Sequence, residues 1–258
     1  MTKLKGILLT EGMHGMVSQV EGLAKALDIN FSHHTVETKG FWKIIPPKFT
    51  PITDRVFKKI DCKDIDIIIS CGRKSIIPSI FLKKNSKKKI FTIHIQNPKV
   101  KLGNFDLIVV PEHDNLDGDN VLKTKGAIHY LTSEEIENNK EYLFSISRNL
   151  KDRNIISLII GGPTQYYDYS DRNIQEIFSK VNYLVKDNNL SLVVIPSMRT
   201  PKGTIEHAKI YFGNDHLVLD NVDKKAYLSA LSISKHIVVT CDSSSMISEA
   251  ALTGKPIY

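Results

Sequence analysis

Short apolar runs alternate with stretches of helical periodicity along the whole 258-residue chain, and this alternation limits the fold more than any other feature. Gly6 to Thr10 is apolar, and Val17, Val20, Leu23, Ala24 and Leu27 then recur at spacings of three and four. Ile65 to Ser70 reads IDIIIS, apolar on both faces as a central parallel strand requires. A helix with Pro78 in its first turn follows, then strand runs at Lys89–Gln96, at Phe105–Asp114 and after Asn120. A second series begins near Asn154: NIISLIIGG, an amphipathic helix over Asp171–Asp187, LSLVVIPS, a helix near Pro201, HLVLD, KKAYLSALSISK, HIVVTCD and SSSMISEAALTG. The pattern predicts an α/β protein with parallel sheets and helices on both faces.

Two successive series predict two Rossmann-like domains, residues 1–150 and 151–258, meeting at a cleft. Ser133–Leu150 reads as a connecting helix, with Ser133 as N-cap and Glu134 and Glu135 in its first turn. KPIY at the end opens a further strand, so the C-terminal domain is expected to lack its final elements.

Composition removes several classes. Hydrophobic residues make up 41% and charged residues 24%, an ordinary globular balance. No run approaches the ~18 apolar residues of a bilayer span, and the N-terminal apolar run ends at Leu9 without a cleavage signal. Cys62, Cys71 and Cys241 lack zinc spacing and read as reduced thiols of a cytoplasmic protein, with Cys71 and Cys241 half-buried at strand ends. The net charge is +7, and residues 1–150 hold 23 Lys and Arg against 17 Asp and Glu. The densest run is Lys83, Lys84, Lys87, Lys88 and Lys89. A solvated loop is its plain reading; an anionic membrane surface or acceptor is the sharper one. No aromatic residues interleave with these lysines, which argues against nucleic acid.

Ligands in open parallel sheets bind beyond the C-terminal strand ends. His14 and Gly15 lie at such an end, as do Gly72 and Arg73, Gly161 and Gly162, then Ser197, Arg199 and Thr200. The strongest signal is Thr240–Pro256, where a strand runs into a helix whose first turn is serine-rich. Backbone N–H groups and the helix dipole make such a terminus fit for a diphosphate, held by Asp242, Ser243, Ser244, Ser245 and Met246. Ordinary capping by Asp242 or Ser243 is the plain alternative. Glu249, further along, is placed to bond ribose hydroxyls. Arg199 would clamp the diphosphate, and His14 would act as general base. Tyr166, Tyr167 and Tyr169 would stack on a base or cover the site. There is no GxGxxG fingerprint and no Walker lysine, which counts against NAD and ATP hydrolysis, and no carboxylate cluster asks for a metal.

Taken together, GMHGMVSQVEGLAKAL, CGR, IQNPK, FDLIVVPEHD with GDNVLKTKGAIH, LIIGG, SMRTP and VVTCDSSSMISEAALTGKPIY resemble the mitochondrial fission Elm-type (elongated mitochondria) family, in order and across the chain. Met198-Arg199, Arg73-Lys74 and Pro98-Lys99 stand where the family has Arg-Arg, Arg-Arg and Pro-Arg. The resemblance implies a fold similar to GT-B glycosyltransferases. These bind a nucleotide sugar mainly through the C-terminal domain and often without a metal. The expected function is sugar transfer from a nucleotide-diphosphate donor to an envelope or lipid-linked acceptor, with no cofactor and with peripheral attachment to the inner membrane face. A non-catalytic binding or membrane-surface scaffold is the alternative, and a nucleotide-sugar epimerase a third reading.

Overall fold

The computed structural model describes residues 3–62 and 64–258. The chain divides into two compact units, Met1–Tyr130 and Leu131–Tyr258.

The first unit is built on six parallel strands: β1 (Lys5–Thr10), β2 (Asn30–Thr35), β3 (Ile67–Cys71), β4 (Phe91–Ile95), β5 (Leu107–Pro111) and β6 (Val121–Thr124). Their order is β2-β1-β3-β4-β5-β6. Strand periodicity sends alternate side chains to opposite faces. Ile7, Leu9 and Ile68 accordingly pack with Ile77 and Phe81 of α2 (Ile76–Asn85). Leu8, Ile67 and Ile69 pack on the other face with Val20 and Ala24 of α1 (His14–Ala26). The long passage from β2 to β3 carries two short 3-10 turns, Gly40–Lys43 and Pro47–Phe49. It is tied to the sheet through buried Val56, Phe57 and Ile60.

The second unit has four parallel strands: β7 (Ile155–Ile160), β8 (Ser191–Pro196), β9 (Leu217–Val218) and β10 (His236–Val239), in the order β10-β7-β8-β9. One face packs Ile156, Leu158, Ile160, Leu192 and Val194 against α5 (Asp171–Asp187) and α6 (Lys202–Phe212). The helix α7 (Lys224–Ile233) packs on β7 and β8, and α8 (Ser244–Ala251) follows β10. Beyond β10, Ile257 bridges to Ile237 in parallel, so KPIY does begin to add to this sheet.

The expected connecting helix differs from the structure. Ser133–Leu150 holds two short helices, α3 (Ser133–Asn138) and α4 (Tyr142–Ile146), and a 3-10 turn. Asn138 and Asn139 break it: Asn139 ends α3, its side-chain amide donating to the Glu135 carbonyl at 2.8 Å. The N-cap is Thr132, which accepts from Glu135 N at 3.1 Å. These helices pack within the second unit, where Leu143 N donates to Ser229 Oγ at 3.1 Å and Tyr142 OH donates to Asp223 at 2.6 Å. The compact units therefore divide after Tyr130, twenty residues before the boundary that the sequence predicts. Among the described residues no helix is long and apolar enough to cross a membrane.

Candidate functional site

In each sheet the chain leaves the second strand in the row, runs one way, and later returns to its other side. Such a switch point opens a crevice at the C-terminal strand ends. In the second unit it lies between β7 and β10, where Gly161-Gly162 meets Thr240-Cys241-Asp242.

Asp242 organises this end of the sheet. Its carboxylate is 1% exposed and accepts four hydrogen bonds. Oδ2 takes Gly162 N at 3.1 Å and Arg199 Nη2 at 2.7 Å. Oδ1 takes Tyr169 OH at 2.6 Å and Thr240 Oγ1 at 2.7 Å. Thr240 Oγ1 in turn accepts from Gly161 N at 2.7 Å. Burial, then the bond to Asp242, raises the Tyr169 phenol well above its ordinary range. An ionised carboxylate leaves water only when its lone pairs are met this fully.

The two glycines are fixed by contact. A Cβ on Gly161 would lie 2.1 Å from Asp242 Oδ2, and one on Gly162 would lie 2.0 Å from the Arg199 carbonyl oxygen. Neither position admits a side chain, so packing alone accounts for the pair.

Arg199 is held from both sides. Thr200 Oγ1 accepts from Ser197 N at 2.7 Å and lies 2.7 Å from the Ile160 carbonyl and 2.8 Å from that of Gly161. Ser197 Oγ accepts from Arg199 N at 3.3 Å. This turn aims the guanidinium at Asp242. A guanidinium has five N–H donors, and the side chain stays 30% exposed. Ser243 is the N-cap of α8, its hydroxyl 3.5 Å from Met246 N. Ser244 is exposed, Ser245 and Met246 half-buried. Glu249 accepts from Tyr227 OH of α7 at 2.8 Å. Tyr166 and Tyr167 are exposed, and a bond with Cys241 raises the Tyr167 phenol. Cys241 is exposed rather than half-buried, because it turns out where the strand ends; Cys71 is buried, and burial pushes its thiol upward.

The first unit has its own switch point, between β1 and β3. His14 opens α1 and is exposed, and the Gly15 carbonyl accepts from Gln19 Nε2 at 3.1 Å. Gly72 takes φ +92°, which strongly favours glycine, and faces Met16 and Glu11. Arg73 Nη2 donates to the Lys43 carbonyl at 2.5 Å. Lys74 pairs with Glu11 at 2.8 Å. His113 lies in a 3-10 turn, its Nε2 3.8 Å from Asp114 Oδ1, whereas an extended segment would have turned the two apart.

The structure thus brings Gly161, Gly162, Ser197, Arg199, Thr200 and Asp242 into one hydrogen-bonded cluster beside Ser243. Glu249 stands apart, bonded to α7, and His14, Gly15, Gly72 and Arg73 belong to the other unit. Sequence reasoning misses Thr240 and Glu11. The Thr-x-Asp spacing at the end of β10, which sets Thr240 and Asp242 on one side, could have found the first.

A two-sheet parallel α/β chain with its switch points at these ends has the GT-B type of fold, as solved structures show. UDP-GlcNAc 2-epimerase from Neisseria meningitidis, solved bound to UDP-GlcNAc, matches with TM-score 0.58 and 13% identity, over 99% of this chain and 81% of that one. The catalytic domain of starch synthase IV from Arabidopsis thaliana, solved with ADP and acarbose, matches with TM-score 0.58 and 8% identity, over 99% and 82%. At such identities the likeness is one of fold. The chain belongs to the mitochondrial fission ELM1 family, whose model matches residues 14–258. The mitochondrial fission protein ELM1 of Arabidopsis thaliana is 25% identical over 74% of this chain and 50% of its own length. An uncharacterized protein of Rickettsia prowazekii is 27% identical over 77% of this chain and 65% of its own. The matched segments thus span half to two thirds of these relatives' length.

Proposed function

We propose that the second unit binds the diphosphate of a nucleotide sugar at the start of α8, and that the protein transfers the sugar to an envelope or lipid-linked hydroxyl. One observation carries this reading: at the β7/β10 switch point an arginine held by a buried carboxylate stands beside a serine-capped helix N-terminus. Asp242 is turned inward, so its part is to orient Arg199. Ser197 and Thr200 hold the turn. The contacts to phosphate come from the remaining Arg199 N–H groups, the Ser244 and Ser245 hydroxyls and the first N–H groups of α8. In the reaction the acceptor oxygen bonds to the anomeric carbon as that carbon's bond to the diphosphate breaks. His14 takes the acceptor proton, and the positive groups stabilise the charge on the departing diphosphate.

A second reading is a binding module without turnover, in which the same Asp242-held Arg199 takes the diphosphate and no sugar is transferred. Calorimetry with UDP, GDP and ADP, paired with a donor-hydrolysis assay, separates the two. Arg199→Ala is expected to weaken the preferred nucleotide by about 10- to 100-fold, the worth of a charge-assisted contact, with part recovered in Arg199→Lys. Ser243→Asp keeps the helix cap and places a carboxylate against the phosphate, so it too weakens binding in a folded protein. His14→Ala leaves donor affinity intact and lowers turnover about 100-fold or more. Unchanged affinity in the Arg199 and Ser243 variants would remove the diphosphate from this place. Binding without turnover in the unaltered protein would establish the second reading.

A further inference from the structure

The passage from β2 to β3 exposes four large apolar side chains within twelve residues: Phe41 (63%), Ile44 (75%), Phe49 (71%) and Ile52 (39%). The segment is ordered around them. Lys39 N donates to the Val56 carbonyl at 2.7 Å and Lys58 N to the Glu37 carbonyl at 2.9 Å. Thr38 bridges Phe57. Val56, Phe57 and Ile60 are buried against the sheet, with half-buried Trp42 packed on them. Pro46, Pro47 and Pro51 restrict the backbone further. A chain that can bury Val56 and Phe57 yet leaves Phe41, Ile44 and Phe49 in water presents a site of interaction.

Charge says what the partner is. Residues 38–59 contain Lys39, Lys43, Lys48, Arg55, Lys58 and Lys59 against Asp54 alone. Of the six, only Lys58 has a carboxylate partner within 4 Å among the described residues, Glu37 at 2.6 Å. The lysine run at residues 83–89 is partly neutralised: Lys83 pairs with Asp106 and Lys88 with Asp64 and Asp66, which leaves Lys84, Lys87 and Lys89 as the competing basic patch. Aromatic and aliphatic side chains among unpaired lysines match a bilayer whose headgroups are anionic and whose acyl region begins just beneath.

We propose that residues 39–59 are a docking surface for an anionic lipid bilayer, with Phe41, Ile44, Phe49 and Ile52 entering the headgroup boundary and the lysines held at its surface. Neither signal suffices alone, since stable attachment takes an apolar insertion together with a basic patch. The Arg73 bond to the Lys43 carbonyl ties this surface to the turn after β3. The inference does not depend on nucleotide binding by the second unit.

Trp42 is the sole tryptophan, with its ring 4.2 Å from that of Phe41, and so reports on this loop. The test uses the full chain with vesicles of phosphatidylcholine alone or mixed with phosphatidylglycerol, without nucleotide. The protein is expected to sediment with the anionic vesicles only, and less at high salt. Lipids brominated near the headgroup should quench Trp42 on those vesicles. Each lysine brought to the surface contributes about fivefold to partitioning, so Lys43→Glu with Lys48→Glu should reduce it at least 25-fold. Phe41→Ser with Phe49→Ser should abolish quenching while leaving the thermal midpoint and nucleotide affinity unchanged, because both side chains are exposed. Absence of vesicle binding would overturn the proposal. So would binding that survives the Phe variants, or binding lost only on changing Lys84, Lys87 and Lys89 to Glu. Vesicle binding by a protein that fails to bind nucleotide would leave this proposal standing and remove the other.

Discussion

Asp242, Gly161 and Gly162 show how much of a site can be decided by contacts of a single side chain. A methyl group at Gly161 collides with a side chain, the Asp242 carboxylate, whereas one at Gly162 collides with the backbone of Arg199. Both Gly161→Ala and Gly162→Ala should therefore destabilise the protein by about 1–3 kcal/mol or more. The two differ in rescue. In urea denaturation, Asp242→Ala should offset much of the Gly161→Ala loss and none of the Gly162→Ala loss, a coupling of the kind double-mutant cycles isolate. Equal behaviour in both cycles would contradict the assignment. His94 offers a second test. Its ring is buried between β3 and β5, with Nδ1 2.9 Å from Ser70 Oγ and the ring 4.9 Å from that of Phe105. Burial lowers its pKa to about 3. The unfolded chain takes up this proton near the ordinary histidine value of ~6.5. Below that pH the unfolded state binds more protons, so stability falls as pH drops towards 3. The loss should approach ~1 kcal/mol per pH unit between about pH 6 and 5, above the carboxylate range. His33 and His216, also lowered by burial, act in the same direction. His94→Gln should flatten the slope in part, as measured by denaturant midpoints across that window.

At the scale of elements, the sequence reveals those whose burial is simplest. The runs at β3, β7 and β8 are buried along their full length, and a doubly covered strand has no polar face to obscure it. The helices α5 and α8 announce themselves by period and by cap. The edge strand β2, NFSHHT, is half in water and leaves no apolar run. The helix over Ser133–Leu150 is misread because its period continues through Asn138 and Asn139, which break it. The Asp242 cluster is only partly legible. Arg199, Gly161 and Asp242 each stand at a strand end in the sequence, but their mutual bonds depend on strand order, which no local pattern carries. Residues 131–150 supply a direct test of which unit they serve. Leu143 is fully buried in α4, which packs on α7. Leu143→Ala should cost about 2–5 kcal/mol. In hydrogen exchange the added opening should appear in α7 and β8, and not in β1 or β3. Enhanced exchange confined to the first unit would contradict the division after Tyr130.

For the whole molecule, two sheets of parallel strands mean that every connection crosses a face and every strand pair is made at a distance along the chain. Native-state exchange should be slowest in β1, β3, β4 and β5 of the first sheet and in β7 and β8 of the second, which have partners on both sides. It should be fast in β9, whose two residues pair only with β8. Protection of β9 equal to that of β8 would show that the outer edge is covered. The order β10-β7-β8-β9 has a consequence in time. β10 pairs with the first strand of its unit, and the bonds from Gly161 to Thr240 and from Gly162 to Asp242 span 79 and 80 residues. Closing such distances is slow. During synthesis β7, β8 and β9 emerge together and have no partner on one edge until residues 236–242 leave the ribosome. The nascent chain therefore carries an open strand edge for some eighty residues, and the cluster around Asp242 cannot assemble until that edge is closed.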